Sequence, residues 1–240
     1  ILGSFIFRNI FGFVTEENLL SYLQKFDTPI INEENLERLV VQNNKEYRTA
    51  IFTARPNLLP ISIDQIKKNR HMFLPEAELA IESIGVKHYE FPVVGAGSLG
   101  YLEQKYQLPY NSLLKPQAFH SLAAIMTCII DNSIDVLEKT KEMVDFWNNK
   151  EFSRNPIEKI IPMSSTIRLA VFEDSISGIL SCNSSAMILR DFGYKVEIEP
   201  YGIYTTDKKE RLLREVGTDI FPDINTALTA FYNKRIPKNL

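Results

Sequence analysis

Apolar positions along this chain follow two alternating rhythms, one of helical period and one of short continuous runs. Over residues 15–26, Leu19, Leu20, Tyr22, Leu23 and Phe26 recur at helical spacing behind Thr15 as a cap. A second helix is predicted over 32–40. Residues 49–53 form a short apolar run, read as a buried strand that leaves through the turn Ala54-Arg55-Pro56. Residues 57–72 read as a loop with a short helix, interrupted by Pro56 and Pro60. A helix over 75–84 has Pro75 in its first turn and Gly85 at its end.

The alternation continues to the end of the chain. A strand is predicted over 86–94. A long helix opens at Lys115 and runs through Ala118, Leu122, Ile125 and Ile129, and another covers 134–147. Residues 167–172 have few polar side chains, as expected of a strand covered on both faces. A helix over 178–192 stops at Gly193. Two short strands, 195–198 and 202–204, come next. A helix over 208–216 ends at Gly217, and a strand over 219–221 and a helix over 224–231 close the series.

Strands alternating with helices predict an α/β fold, a Rossmann-like three-layer sandwich with a mostly parallel central sheet. Residues 1–48 read as an N-terminal helical segment, either a cap or the leading part of the core. Residues 49–240 read as the α/β core, with a helical insertion around 131–165. Within it, residues 148–165 are polar and carry Pro156 and Pro162, read as a long surface connection.

Composition narrows the picture. A net charge of −3 gives no reason to expect nucleic acid or an anionic membrane as a partner. No apolar run reaches the length of a membrane span. The opening 1–13 is apolar but lacks a basic flank and a small-residue cleavage site, so it is not read as a signal peptide, and the expected location is cytoplasmic. Cys128 and Cys182 stand among apolar or small residues and are read as reduced core thiols.

Three blocks place chemistry just after apolar runs. Thr53 ends a predicted strand, so its hydroxyl and amide, the Ala54 amide and the Arg55 guanidinium are candidate phosphate ligands; an ordinary strand end is the plainer reading. Lys115 precedes Pro116 at a helix entrance, where a lysine can hold a phosphate as a point charge. Most lysines are merely solvated. Glu173 and Asp174 follow a buried strand and precede Ser175, where carboxylates of an open α/β sheet can hold a hard cation such as Mg²⁺. An acid and a serine before a helix also cap it without any further role.

Their order resembles the haloacid dehalogenase (HAD) superfamily, mostly phosphatases. Thr53 is similar to the second motif, and Lys115 in Leu-Lys-Pro-x-x-x-Phe to the third. Phe-Glu-Asp-Ser-x-x-Gly, 172–178, resembles the fourth as found in the phosphoglycolate-phosphatase-like and sugar-phosphate-mutase-like branches. The likeness covers roughly 48–231. It implies that Thr53 and Lys115 bind the transferring phosphate, with Ala54, Arg55 and Ser175 beside them, and that Glu173 and Asp174 bind Mg²⁺. It implies hydrolysis of a small phosphorylated metabolite through an aspartyl-phosphate. The first motif, an Asp-x-Asp after a buried strand, is absent between Ile1 and Thr53, and the spacing from Lys115 to Glu173 is long for the family. The expectation is that the Asp-x-Asp stands ahead of Ile1, because Ile1-Leu2-Gly3-Ser4-Phe5 resembles the stretch just after such a loop and Gly3 weakens the opening as a central strand. The alternative is a non-catalytic HAD-like module that binds a phosphorylated ligand or a protein partner.

Gly95-Ala96-Gly97-Ser98-Leu99-Gly100 fits the dinucleotide pattern G-x-G-x-x-G and keeps a third, weaker reading open. The strand and acid that should come after it are missing, so a flexible turn near the site mouth is the expectation. His71, His88 and His120 lack metal-ligand spacing.

Overall fold

A computed structural model describes residues 29–43, 45–58, 76–86, 91–130 and 134–235. The helix predicted over 15–26, most of the 57–72 loop and the start of the 86–94 strand lie outside the described residues. The protein is α/β, with parallel sheets and covering helices. It divides into two compact units, one drawn from Asn43–Leu114 and Ala123–Lys139, the other from Ile30–Gln42, Lys115–Leu122 and Thr140–Leu240.

In the second unit, α1 (Glu33–Gln42) starts behind Asn32, whose Oδ1 accepts the Asn35 amide at 2.9 Å. The first unit contributes β1 (Ile51–Phe52), α2 (Glu76–Ser83), β2 (Val93–Val94) and α3 (Ala96–Lys105). β1 and β2 run parallel with Ile51 opposite Val93. Both strands are much shorter than the predicted apolar runs. α4 (Ala118–Ile129) and α5 (Ile134–Asn148) follow. α4 begins three residues later than expected, because the residue before a proline is driven out of the helical region and Lys115 precedes Pro116.

The second unit then builds β3 (Thr166–Glu173), α6 (Ile176–Asp191), β4 (Lys195–Ile203), α7 (Asp207–Glu215), β5 (Asp219–Phe221) and α8 (Ile224–Asn233). Its sheet is parallel with order β3-β4-β5. Helical crossovers join successive parallel strands, the arrangement a parallel sheet requires. The two strands predicted over 195–198 and 202–204 are one strand, β4. Pro200 lies inside this strand. It is tolerated because β5 pairs only with Tyr201 to Ile203, so β4 is bonded on one edge alone at Pro200.

Alternation along β3 separates two packed faces. Phe172 stacks on Tyr201 at 4.8 Å, and Phe231 of α8 meets both rings edge-on. Val171 and Glu173 point the other way, toward α6. Its buried residues there include Gly178, Ser181, Cys182, Ser185 and Ala186, a stripe of small side chains that lets the helix lie close. Gly85, Gly193 and Gly217, predicted as helix stops, follow α2, α6 and α7 with positive φ. Arg38 of α1 lies 3.9 Å over the Tyr232 ring of α8, and Asn225 accepts the Asn32 amide at 2.8 Å.

Candidate functional site

β3 ends in Glu173, whose side chain folds back beneath the start of α6. This requires Gly178: a Cβ there would lie 2.2 Å from Glu173 Cδ. Glu173 is buried and its Oε1 accepts from Lys115 Nζ at 2.7 Å, across 58 residues of sequence. The same oxygen accepts a short bond from Ser175 Oγ. Ser175 is also the α6 N-cap, accepting the Gly178 amide at 3.2 Å. The third and fourth blocks therefore meet at the carboxyl end of β3. Ser175, a phosphate ligand by the family resemblance and a helix cap by the plainer reading, here caps the helix and donates its proton to Glu173.

Lys115 is held from behind. Its amide donates to Nδ1 of His120, which is fully buried. The carbonyls of Gln117 and Ala118 accept from Ser181 Oγ at 2.6 Å and Ser185 Oγ at 2.8 Å. Ser121 Oγ lies 2.6 Å from Ser185 Oγ and 2.8 Å from Ser181 Oγ. All three serines are buried, so these contacts fix the segment after Lys115 against α6. Sequence reasoning missed this cluster because serine scores as polar. The signal was the recurrence of small residues at helical spacing, Gly178, Ser181, Cys182, Ser185 and Ala186. Burial pushes the Cys182 thiol up to about 12.

Asp174 emerges from the end of β3 and is exposed. Its Oδ2 accepts from Lys209 Nζ at 2.6 Å. One oxygen of each acid, Glu173 Oε2 and Asp174 Oδ1, has no hydrogen-bond partner among the described residues. Carboxylate oxygens are the donors a hard cation takes while keeping most of its waters. Among the described residues no group of three or more His, Cys, Asp or Glu side chains could enclose a metal by itself.

Thr53, Ala54 and Arg55 belong to the first unit. The Thr53 amide donates to the Val94 carbonyl at 3.0 Å, so it serves the sheet and not a ligand. Thr53 Oγ1 accepts the Arg55 amide at 3.2 Å and keeps its own proton for donation.

The glycine pattern opens α3 and is no flexible turn. Gly95 is its N-cap and has no side chain with which to cap. The Ala96 amide donates to the Arg55 carbonyl at 3.0 Å and the Ser98 amide to Asn57 Oδ1 at 2.9 Å. Asn57 is buried, and its Nδ2 donates to Ser98 Oγ at 2.8 Å. A Cβ at Gly95 would lie 2.6 Å from the Arg55 carbonyl oxygen, so this glycine admits the protein's own backbone. Two amides that a dinucleotide turn would aim at a pyrophosphate are committed internally.

Both cysteines are free. No helix among the described residues is long and apolar enough to cross a membrane. No family model, curated protein or solved structure matches this chain.

Proposed function

We propose that the chain is the core of a HAD-like, Rossmann-like hydrolase, a Mg²⁺-dependent phosphatase acting on a small phosphorylated metabolite. The observation that carries this reading is the Lys115–Glu173 contact at the end of β3, with Asp174 beside it. A cation–carboxylate pair next to an open acid, at the carboxyl end of a parallel strand, is where such chemistry is assembled in α/β proteins. Lys115 would turn its ammonium toward a phosphoryl oxygen. Asp174 and the second oxygen of Glu173 would hold Mg²⁺, which when bound offsets charge on the phosphoryl oxygens. Thr53, Ala54 and Arg55 enter this reading through the family resemblance.

The reading needs an aspartate nucleophile at the end of β3. Among the described residues β3 pairs with β4 alone; the strand bearing Asp-x-Asp would pair with the other edge of β3, and this reading places it ahead of Ile1. The test is a panel of phosphate esters assayed with the intact natural protein and Mg²⁺, with Lys115→Met and Asp174→Asn beside it. Turnover in the wild type and at least a hundredfold loss in both variants is expected. Absence of turnover, with retained binding of a phosphorylated ligand that Lys115→Met abolishes, would favour the non-catalytic module instead. The absence of Asp-x-Asp within these 240 residues is what keeps that second reading in place.

A further inference from the structure

The two acids of the site differ in how they are neutralised. Glu173 and Lys115 are nearly buried, with side-chain exposures of 8% and 15%. Asp174 and Lys209 are open, at 55% and 40%. Lys209 comes from the first turn of α7, and its backbone is fixed there by the cap, since its own amide donates to Thr206 Oγ1 at 3.3 Å. Its ammonium reaches across 35 residues of sequence to a single carboxylate oxygen at 2.6 Å. Exposed pairs of this kind are weak, because water and salt screen them and two side chains must be held in place. A divalent cation on the same carboxylate would repel the ammonium.

We propose that Lys209 is a displaceable counter-ion of Asp174: it neutralises the carboxylate until a divalent cation takes it, and so sets the Mg²⁺ concentration at which the site fills. The proposal rests on the metal reading given above. Lys115 cannot play this part, because its partner is buried and also held by Ser175. Lys208 provides the control. It is exposed on the same turn, carries the same charge and has no bond to Asp174.

Mg²⁺ binding by calorimetry on the intact natural protein tests this without any substrate. Lys209→Met should bind Mg²⁺ about three- to fivefold more tightly than the wild type, as loss of an exposed pair implies. Lys208→Met should change the affinity less than twofold. The advantage of Lys209→Met should shrink in 0.5 M salt, where the pair is already screened. Equal affinities for wild type and Lys209→Met, or an equal gain from Lys208→Met, would overturn the displacement while leaving the metal site standing. No Mg²⁺ binding by any of the proteins, or binding unaffected by Asp174→Asn, would overturn the metal reading and this proposal with it.

Discussion

Two helix starts, α3 in the first unit and α6 in the second, follow parallel strands through a small-residue turn, and they are filled in opposite ways. At α3, Gly95 admits the Arg55 carbonyl and the Asn57 amide, all neutral groups that pair with one another. At α6, Gly178 admits the Glu173 carboxylate, whose charge draws Lys115 in from 58 residues away. In both, the glycine makes room for a side chain or backbone behind it. What separates the two turns is the charge of the group the glycine lets in.

The sharpest way to break that contrast is to remove one partner from each filling. Lys115→Met would leave a buried carboxylate without its cation and should lower stability by about 3–5 kcal/mol. Glu173→Gln in the same chain should return part of that loss, because no charge is then stranded. Asn57→Ala leaves neutral groups unpaired at the other turn and should cost about 1–3 kcal/mol. Urea unfolding of the three variants checks the ranking. Equal losses for Lys115→Met and Asn57→Ala would mean that charge plays no special part at α6.

A methyl group in either glycine tests the close approach itself. Gly178→Ala and Gly95→Ala each place a Cβ within 3 Å of neighbouring atoms, so each should cost about 1–3 kcal/mol. They should differ in what relieves them. Glu173→Ala should suppress the Gly178→Ala defect, because the clash there is with a side chain. Gly95→Ala meets the Arg55 carbonyl and should not be fully rescued by Asn57→Ala. A double-mutant cycle in thermal melts reads this directly.

Much of this arrangement was legible in the sequence, and the misses have physical causes. Apolar runs bounded by caps and glycines located β3, α6, α7 and α8 closely, since local signals there agree with burial. The order of blocks brought Lys115 and Glu173 to one site. Residues 195–204 read as two short strands, whereas one strand runs through Pro200, since a proline is acceptable wherever one edge of a strand is unpaired. Ser175 takes the capping role that an acid and a serine before a helix already offered, accepting the Gly178 amide and donating to the Glu173 carboxylate. Lys209 gave no signal, being one basic residue on a solvent-facing turn. His120 drew notice only as a histidine without metal-ligand spacing, whereas its Nδ1 accepts the Lys115 amide.

The serine cluster behind Lys115 should yield a smaller effect. Ser185→Ala removes the donor to the Ala118 carbonyl and a partner of Ser121, and should cost about 1–2 kcal/mol. Its distinguishing consequence lies in Lys115, whose segment it helps to fix. Amide exchange at Ala118 to Leu122 should quicken in Ser185→Ala beyond the change seen in α8, which the cluster does not touch. Uniform quickening across the second unit would show global loosening and no local clamp.

The smallest effect compares one thiol from each unit. Burial pushes Cys128 up to about 11 and Cys182 up to about 12, from an ordinary value of 9.0. Both folded-state values are raised, so the unfolded chain loses these protons first as pH rises. Their contribution is therefore complete below pH 9 and declines through the folded-state values. Each thiol should remove about 1 kcal/mol over the first pH unit above that point, and nothing near neutrality. Cys182→Ala destabilises by its cavity at every pH, so the readout is the slope and not the level. Urea melts from pH 8 to 11 should show a shallower decline in Cys182→Ala than in the wild type, and likewise in Cys128→Ala. Identical slopes in wild type and Cys182→Ala would show that this thiol ionises in the fold as readily as in the open chain, and that the small-residue stripe of α6 is less closely packed than its contacts imply.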